Sequence, residues 1–132
     1  MNRRTLLASA LAFGLIPSLA LAGKAVDYTP GAIQKALAAG KTVFVDYAAS
    51  WCGTCRRQAR VIEQLRAENP AYDKAMVFFR VDWDTYRSHS VTTSRDIPRR
   101  STLILLRGDK EIDRVVAETG AGRIKAMMDK GL

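Results

Sequence analysis

The residues of this chain that are best suited to chemistry are two cysteines within one short segment, Cys52-Gly-Thr-Cys55. A thiolate is a strong nucleophile, and a cysteine at the N-terminus of a helix has a lowered pKa because unpaired N–H groups and the helix dipole favour negative charge. Arg56 and Arg57 follow at once and add positive charge. We therefore expect thiol–disulfide exchange, in which Cys52 attacks a partner and Cys55, one turn further along the helix, resolves the mixed disulfide.

Other uses of a cysteine pair are less well supported by the sequence. A structural disulfide that closes so short a loop removes only about 2 kcal/mol of unfolded-state entropy. The chain has 132 residues with two cysteines and one histidine, too few for a zinc site within one chain, although two thiolates can bind copper(I). We predict no metal site and no organic cofactor, and keep a copper carrier as an alternative.

The elements around the pair predict an α/β fold. A β-branched and aromatic strand at residues 41–47 precedes the cysteines, and an amphipathic helix at residues 56–69 follows them. The rest of the pattern predicts a mixed central sheet of four to five strands with helices on both faces. Its other parts are a helix ending at Gly40, strands at 76–81, 101–106 and 111–116, a polar segment at 84–97 with a short helix, and a final helix at 122–130.

The first 22 residues have the pattern of an export signal. Arg3 and Arg4 precede an apolar run that ends in Ala20-Leu-Ala22, which is typical of a secretory signal peptide cleaved after a small residue. We predict a signal peptide at residues 1–22, a single domain at residues 23–132 and a periplasmic location. An uncleaved membrane anchor is the alternative.

The charge of the chain is strongly positive but dispersed. There are 21 Lys and Arg residues against 13 Asp and Glu, a net charge of +8. Beyond the first 22 residues, adjacent arginines occur only at Arg56-Arg57 and Arg99-Arg100. We interpret this as a solvated basic surface and predict a monomer with no nucleic-acid partner.

The segment Val43-Phe-Val-Asp-Tyr-Ala-Ala-Ser-Trp-Cys-Gly-Thr-Cys55 resembles the active-site strand and helix start of the thioredoxin family. The resemblance extends over residues 26–130 and implies the thioredoxin-like fold. It also implies that Asp46 relays a proton to or from Cys55 through water. A carboxylate in an apolar strand is costly to bury unless it is paired or neutral, so we expect a raised pKa and Arg80 on the neighbouring strand as an ion-pair partner.

The resemblance further implies a cis-proline that faces the cysteines, and Ile97-Pro98 is the match. In the family this proline runs directly into a threonine and an apolar strand. Here Arg99-Arg-Ser101 stands between Pro98 and Thr102, which reads as an insertion. On this interpretation the backbone of Ile97 pairs with an extended substrate.

The surroundings of the pair supply the remaining expectations. Trp51, Gly53 and Thr54 are expected to contact the substrate, with Trp51 over the disulfide. If Pro98 lies as in the family, Arg99 and Arg100 line the groove and attract acidic partners. Thr54 in place of the proline of thioredoxin itself leads us to expect a less negative reduction potential than that of a cytosolic thioredoxin.

Together these observations predict an exported thiol–disulfide oxidoreductase that exchanges disulfides with periplasmic proteins, chiefly as a reductant, with a membrane protein as a candidate electron donor. The alternative outside catalysis is a thioredoxin-fold binding module or copper carrier.

Overall fold

The computed structural model describes residues 25–132, so the predicted signal peptide at residues 1–22 lies outside the described residues. The described part contains five strands and six helices. In chain order they are β1 (Val26–Asp27), α1 (Ala32–Ala38), β2 (Thr42–Ala48), α2 (Gly53–Glu68), α3 (Ala71–Ala75), β3 (Met76–Asp82), α4 (Trp83–Tyr86), α5 (Ser90–Thr93), β4 (Thr102–Arg107), β5 (Lys110–Val116) and α6 (Ala121–Asp129).

The strands form one mixed sheet in the order β1-β3-β2-β4-β5. β1 and β2 both run parallel to β3, whereas β4 is antiparallel to β2 and β5 to β4. The predicted fold class is therefore confirmed. β2 lies at the centre and is buried at all its positions, which explains its nearly continuous apolar sequence.

Alternate residues of β2 serve two separate cores. Phe44 packs with side chains of α2 and α6, including Ile62 and Met127. Val45 and Tyr47 point to the other face and pack with residues such as Ile33 of α1. Asp46 has the same parity as Phe44, so its side chain lies on the α2 side of the sheet, the side that also carries the cysteines.

The elements differ from the sequence prediction in the start of α2, in the polar segment at residues 84–97 and in two short elements, α3 and β1, that were not predicted. α2 begins at Gly53, three residues earlier than predicted, because Cys52 itself caps the helix. The polar segment that the sequence left least defined contains two one-turn helices, α4 and α5. β1 was not predicted, since its two residues are too few to show an alternating pattern.

Candidate active site

The two cysteines lie where β2 passes into α2. Cys52 occupies the N-cap of α2, and its Sγ accepts a hydrogen bond from the backbone N–H of Cys55 at 3.2 Å. The two residues form a disulfide with their Cα atoms 5.3 Å apart. A sulfur that already receives a backbone N–H at a helix N-terminus is well placed to hold negative charge once the disulfide is reduced.

Both cysteines are nearly buried, with 3% of Cys52 and 2% of Cys55 exposed. They pack with Ala48 and Ala49, and Trp83 covers the same cluster. The two exposures are too similar to distinguish the cysteines, so the attacking role of Cys52 and the resolving role of Cys55 stay predictions.

A serine that the sequence analysis did not select contacts both sulfurs. Ser101 Oγ lies 3.2 Å from Cys52 Sγ and 3.0 Å from Cys55 Sγ, and the residue is fully buried. Its backbone N–H donates to the carbonyl of Tyr47, and its carbonyl accepts from the N–H of Ala117 and from Nε2 of Gln58. These bonds hold Ser101 between the end of β2 and the last residues of the sheet.

The prediction of a cis-proline at position 98 is wrong. No cis peptide bond occurs in residues 25–132, so the Ile97–Pro98 bond is trans. Ile97 is buried in the core on the opposite face, and its N–H already donates to the carbonyl of Thr92, so it is not free to pair with a peptide. Pro98 is exposed. The residue that contacts the two sulfurs is Ser101, whose Oγ lies within hydrogen-bond distance of both.

The error arose because the sequence was aligned with the family at Pro98 and not at Thr102. Matching the proline required an insertion of three residues, whereas matching Thr102, which begins β4, requires none and puts Ser101 in the place of the proline. Ser101 has φ +62°, a conformation that proline cannot adopt because its ring fixes φ near −65°. The direct step from Ser101 into Thr102 and an apolar strand was the signal that could have identified it.

Asp46 is a buried carboxyl group on β2, the strand that leads to the cysteines. Burial raises its pKa from 3.8 to about 7, and the positive charge of Arg80 offsets part of the rise. Arg80 is opposite Asp46 in the β2–β3 register, yet its guanidinium pairs with Asp82 at 3.8 Å, so the expected ion pair with Asp46 is not formed. Asp46 Oδ1 has no hydrogen-bond partner within the described part of the chain.

A cavity of about 290 Å³ is lined by both Asp46 and Cys55, and Ala59 and Arg80 also contribute to its wall. A cavity of that size with polar groups in its wall has room for several water molecules. A carboxyl group with a pKa near neutrality beside such a cavity can accept the proton of Cys55 and return it.

The surface next to Cys52 is formed by a tryptophan and an arginine. Trp51 is 55% exposed, and its Nε1 donates to Asp84 Oδ2 at 2.9 Å. The guanidinium of Arg100 lies 4.5 Å from the centre of the Trp51 ring. These two side chains belong to the residues that immediately precede Cys52 and Ser101, so the contact joins the segment before α2 to the segment before β4.

Two other residues that were predicted to contact the substrate lie between the cysteines. Gly53 is exposed and Thr54 is half-buried in the first turn of α2. Their contacts with a substrate, like that of Trp51, stay predictions. Arg99 turns back so that its Nε donates to the carbonyl of Arg100, whereas the guanidinium of Arg100 lies over the ring of Trp51.

Two further observations concern metal-binding groups and membrane-spanning helices. Residues 25–132 contain no group of three or more His, Cys, Asp or Glu side chains that could together hold a metal ion. Within the same residues, every helix is too short or too polar to cross a bilayer.

The cysteine pair lies at the start of a helix that follows the central buried strand, and this strand carries a buried carboxyl group. This arrangement defines a thiol–disulfide oxidoreductase of the thioredoxin fold. The comparisons with known proteins give the family. The model of the thioredoxin family matches residues 24–130, and the chain belongs to that family.

Individual relatives agree with this assignment. Thioredoxin-1 of Saccharomyces cerevisiae is 31% identical over 93 residues, which are 70% of this chain and 84% of that protein. Thioredoxin-2 of the same yeast is 37% identical over 89 residues, 67% of this chain and 80% of that one. The crystal structure of Trxlp from Edwardsiella tarda EIB202 superposes with a TM-score of 0.69 at 31% identity and covers 79% of this chain and 98% of that one.

Proposed function

We propose that this thioredoxin-family oxidoreductase is exported to the periplasm and reduces disulfides of partner proteins there. The observation that carries the redox part is the sulfur of Cys52 at the N-cap of α2, where it accepts the N–H of Cys55. The export part is supported by the signal-peptide pattern of residues 1–22, with residues 23–132 as the mature domain.

The reaction follows from the positions of three groups. The thiolate of Cys52 attacks one sulfur of the partner's disulfide, which breaks that bond, forms a mixed disulfide and releases a partner thiolate that takes up a proton. Cys55 then passes its proton through the cavity to Asp46 and attacks Cys52 Sγ. The second partner sulfur leaves as a thiolate and is protonated, so the partner gains two electrons and this protein ends as the Cys52–Cys55 disulfide.

The direction of electron flow can be tested in the cell of origin. Rapid acid quenching followed by alkylation with a reagent that adds mass to free thiols separates the reduced from the oxidised protein. We expect the steady state to be mainly reduced in the periplasmic fraction, with a mature N-terminus at Gly23. A mainly oxidised pool would contradict the reductant role, and an unprocessed protein in the cytoplasmic fraction would contradict export.

The reduction potential is expected to be less negative than that of a cytosolic thioredoxin, because groups that stabilise the Cys52 thiolate also stabilise the reduced form. Equilibration with defined ratios of reduced to oxidised glutathione, with a cytosolic thioredoxin measured alongside, gives the comparison directly. An equal or more negative value would contradict this expectation.

Arg100 is expected to favour partners that are acidic around their disulfide. Its guanidinium stacks on Trp51, the residue before Cys52, and a positive charge there attracts anionic surfaces over roughly one Debye length, ~10 Å at 0.1 M salt. We expect Arg100→Ala to slow the reduction of an acidic disulfide peptide about three- to tenfold at low salt and to flatten its salt dependence. Rates are measured by stopped flow at several ionic strengths, with a basic peptide of equal length for comparison.

Lys35→Ala is the matched control. It removes the same charge from an exposed position on α1, which packs on the other face of the sheet, and should leave the rates with both peptides unchanged. Equal losses for the acidic and the basic peptide in Arg100→Ala would show that the arginine acts by packing on Trp51 and not by charge.

A further inference from the structure

We propose that the hydroxyl group of Ser101 is a catalytic hydrogen-bond donor that serves the two cysteines in turn: it stabilises the Cys52 thiolate before attack and the Cys55 thiolate during resolution. This inference rests on the thiol–disulfide exchange described above and adds a third side chain to the reacting centre.

The geometry permits both contacts from one position. Ser101 Oγ is 3.2 Å from Cys52 Sγ and 3.0 Å from Cys55 Sγ, so rotation about one bond is enough to aim its single proton at either sulfur. The side chain is fully buried. Its hydrogen bond to a thiolate therefore meets no competition from bulk water and is stronger than the same contact at the surface.

The backbone keeps the hydroxyl at this position. The N–H of Ser101 donates to the carbonyl of Tyr47 at 2.7 Å, and its carbonyl accepts from Ala117 at 2.8 Å and from Gln58 at 3.0 Å. Gln58 is itself fully buried on α2, the helix that carries the cysteines. The serine is thus tied to β2, to the end of β5 and to α2 at once, and cannot withdraw without breaking all three attachments.

Ser101 has a backbone conformation that is unusual for a residue other than glycine. A φ of +62° places a non-glycine residue in the left-handed region, where a β-carbon costs about 1 kcal/mol or more. Such residues persist when the surrounding structure over-determines them and tend to occur at active sites. Glycine would relieve the strain but would remove the only hydroxyl that touches the two sulfurs within the described residues.

The hydroxyl changes partner as the negative charge moves. In the reduced protein the thiolate of Cys52 is the charged sulfur and takes the hydrogen bond. When Cys52 enters the mixed disulfide, its sulfur becomes neutral, and deprotonation of Cys55 makes that sulfur the stronger acceptor. Ser101 then donates to Cys55 until the Cys52–Cys55 bond forms and the partner leaves as a thiolate; the serine gives up no proton and no electron in any step.

The hydroxyl also favours the reduced state. A disulfide sulfur is a weak acceptor, whereas a thiolate is a strong one, so the buried O–H gains more when the pair is reduced. Loss of the hydroxyl is therefore expected to destabilise the reduced form relative to the disulfide, which makes the pair a weaker oxidant.

The test compares Ser101→Ala, Ser101→Gly and the control Thr102→Val with the natural protein. Thr102 is the next residue, is equally buried, and has a hydroxyl that donates to the carbonyl of Arg99 and not to a sulfur. The pH dependence of Cys52 alkylation by iodoacetamide gives the thiolate fraction, and equilibration with glutathione gives the redox constant.

Both Ser101 variants are expected to lower the acid ionisation constant of the Cys52 thiol about tenfold, which moves the midpoint of the alkylation profile up by about one pH unit. They are also expected to shift the glutathione equilibrium about tenfold toward the disulfide, which corresponds to about 30 mV. Thr102→Val should match the natural protein within about twofold in both measurements. Ser101→Gly suits the positive φ, so it carries the test even if Ser101→Ala does not fold.

Two results would overturn the proposal: a Ser101→Gly variant that keeps the natural thiolate fraction and redox constant, or a Thr102→Val variant that loses as much as the Ser101 variants. Failure of the underlying function is recognised separately, because then the natural protein itself would not exchange with glutathione.

Discussion

Cys52→Ser is expected to lower the rate at which the protein reduces insulin disulfides by on the order of a thousandfold or more, to the background rate of the added reductant. A serine hydroxyl is almost fully protonated near neutrality, and the N–H groups at the start of α2 cannot compensate for the higher pKa of an alcohol. Turbidity of precipitating insulin chains and the release of thiols give the rate. The variant keeps a polar atom of similar size at the N-cap, so α2 is expected to remain intact.

Cys55→Ser is the matched control for the assignment of roles. It should still attack a partner, because Cys52 is unchanged, but the mixed disulfide cannot be resolved and accumulates as a covalent complex stable on non-reducing gels. Trapped partners from the periplasm would also identify the natural substrates. The roles would be reversed if Cys52→Ser trapped partners and Cys55→Ser did not. Insulin reduction that persists without Cys52 would instead favour a binding module or copper carrier.

Asp46→Asn is expected to stabilise the folded protein near neutral pH by up to about 4 kcal/mol, because the amide brings no charge into the buried position. The pKa of Asp46 is raised from 3.8 to about 7 by burial. Between these values the native state holds a proton that the unfolded state has lost, so stability falls as pH rises from about 4 to 7. Above 7 the full cost of the buried charge is present, and below 4 it is absent.

Urea unfolding of the natural protein and of Asp46→Asn at several pH values measures this effect. The difference in the free energy of unfolding should grow from near zero at pH 4 to its plateau just above pH 7. Asp109→Asn, in the exposed turn between β4 and β5, removes the same charge and should give a small difference with no such growth. A difference for Asp46→Asn that stays constant across this range would contradict a raised pKa.

The same substitution should slow the resolving step, since the amide cannot take the proton of Cys55 through the cavity. Decay of a mixed disulfide with glutathione should therefore lose its dependence on a group that titrates near pH 7. An Asp46→Asn variant that is more stable but resolves the mixed disulfide more slowly identifies Asp46 as an acid–base group. If Asp46 only filled space, a packing defect would lower both the stability and the rate of resolution.

Much of the fold followed from short-range patterns. The apolar run of β2 and the helical spacing of Ile62 and Leu65 depend on neighbours within a turn or two of chain, so both elements were predicted in the correct order. The start of α2 was misplaced because its cap is a cysteine, an unusual N-cap residue. The resemblance to thioredoxins supplied Asp46, whose burial the structure then showed.

The contact residue opposite the cysteines was misassigned for a different reason. A proline is conspicuous in a sequence, and Pro98 was taken as the anchor, while Ser101 has no distinguishing type. Which residue reaches the sulfurs depends on the path of the chain between α5 and β4, where no hydrophobic period indicates its course. The missing Asp46–Arg80 ion pair has a similar origin, because strand register brings the residues opposite each other but does not decide which carboxylate the guanidinium meets.

The sequence by itself determined the chemistry: a nucleophilic sulfur, a second sulfur one turn away, a carboxyl group in the preceding strand, and the order of strands and helices that carries them. Only the tertiary structure decided which hydroxyl touches both sulfurs, how deeply the carboxyl group is buried, and that Arg100 lies over the ring of Trp51. Local patterns encode elements because their interactions span a few residues. Ser101 lies 49 positions from Cys52, and contacts over such separations exist only once the whole sheet has assembled.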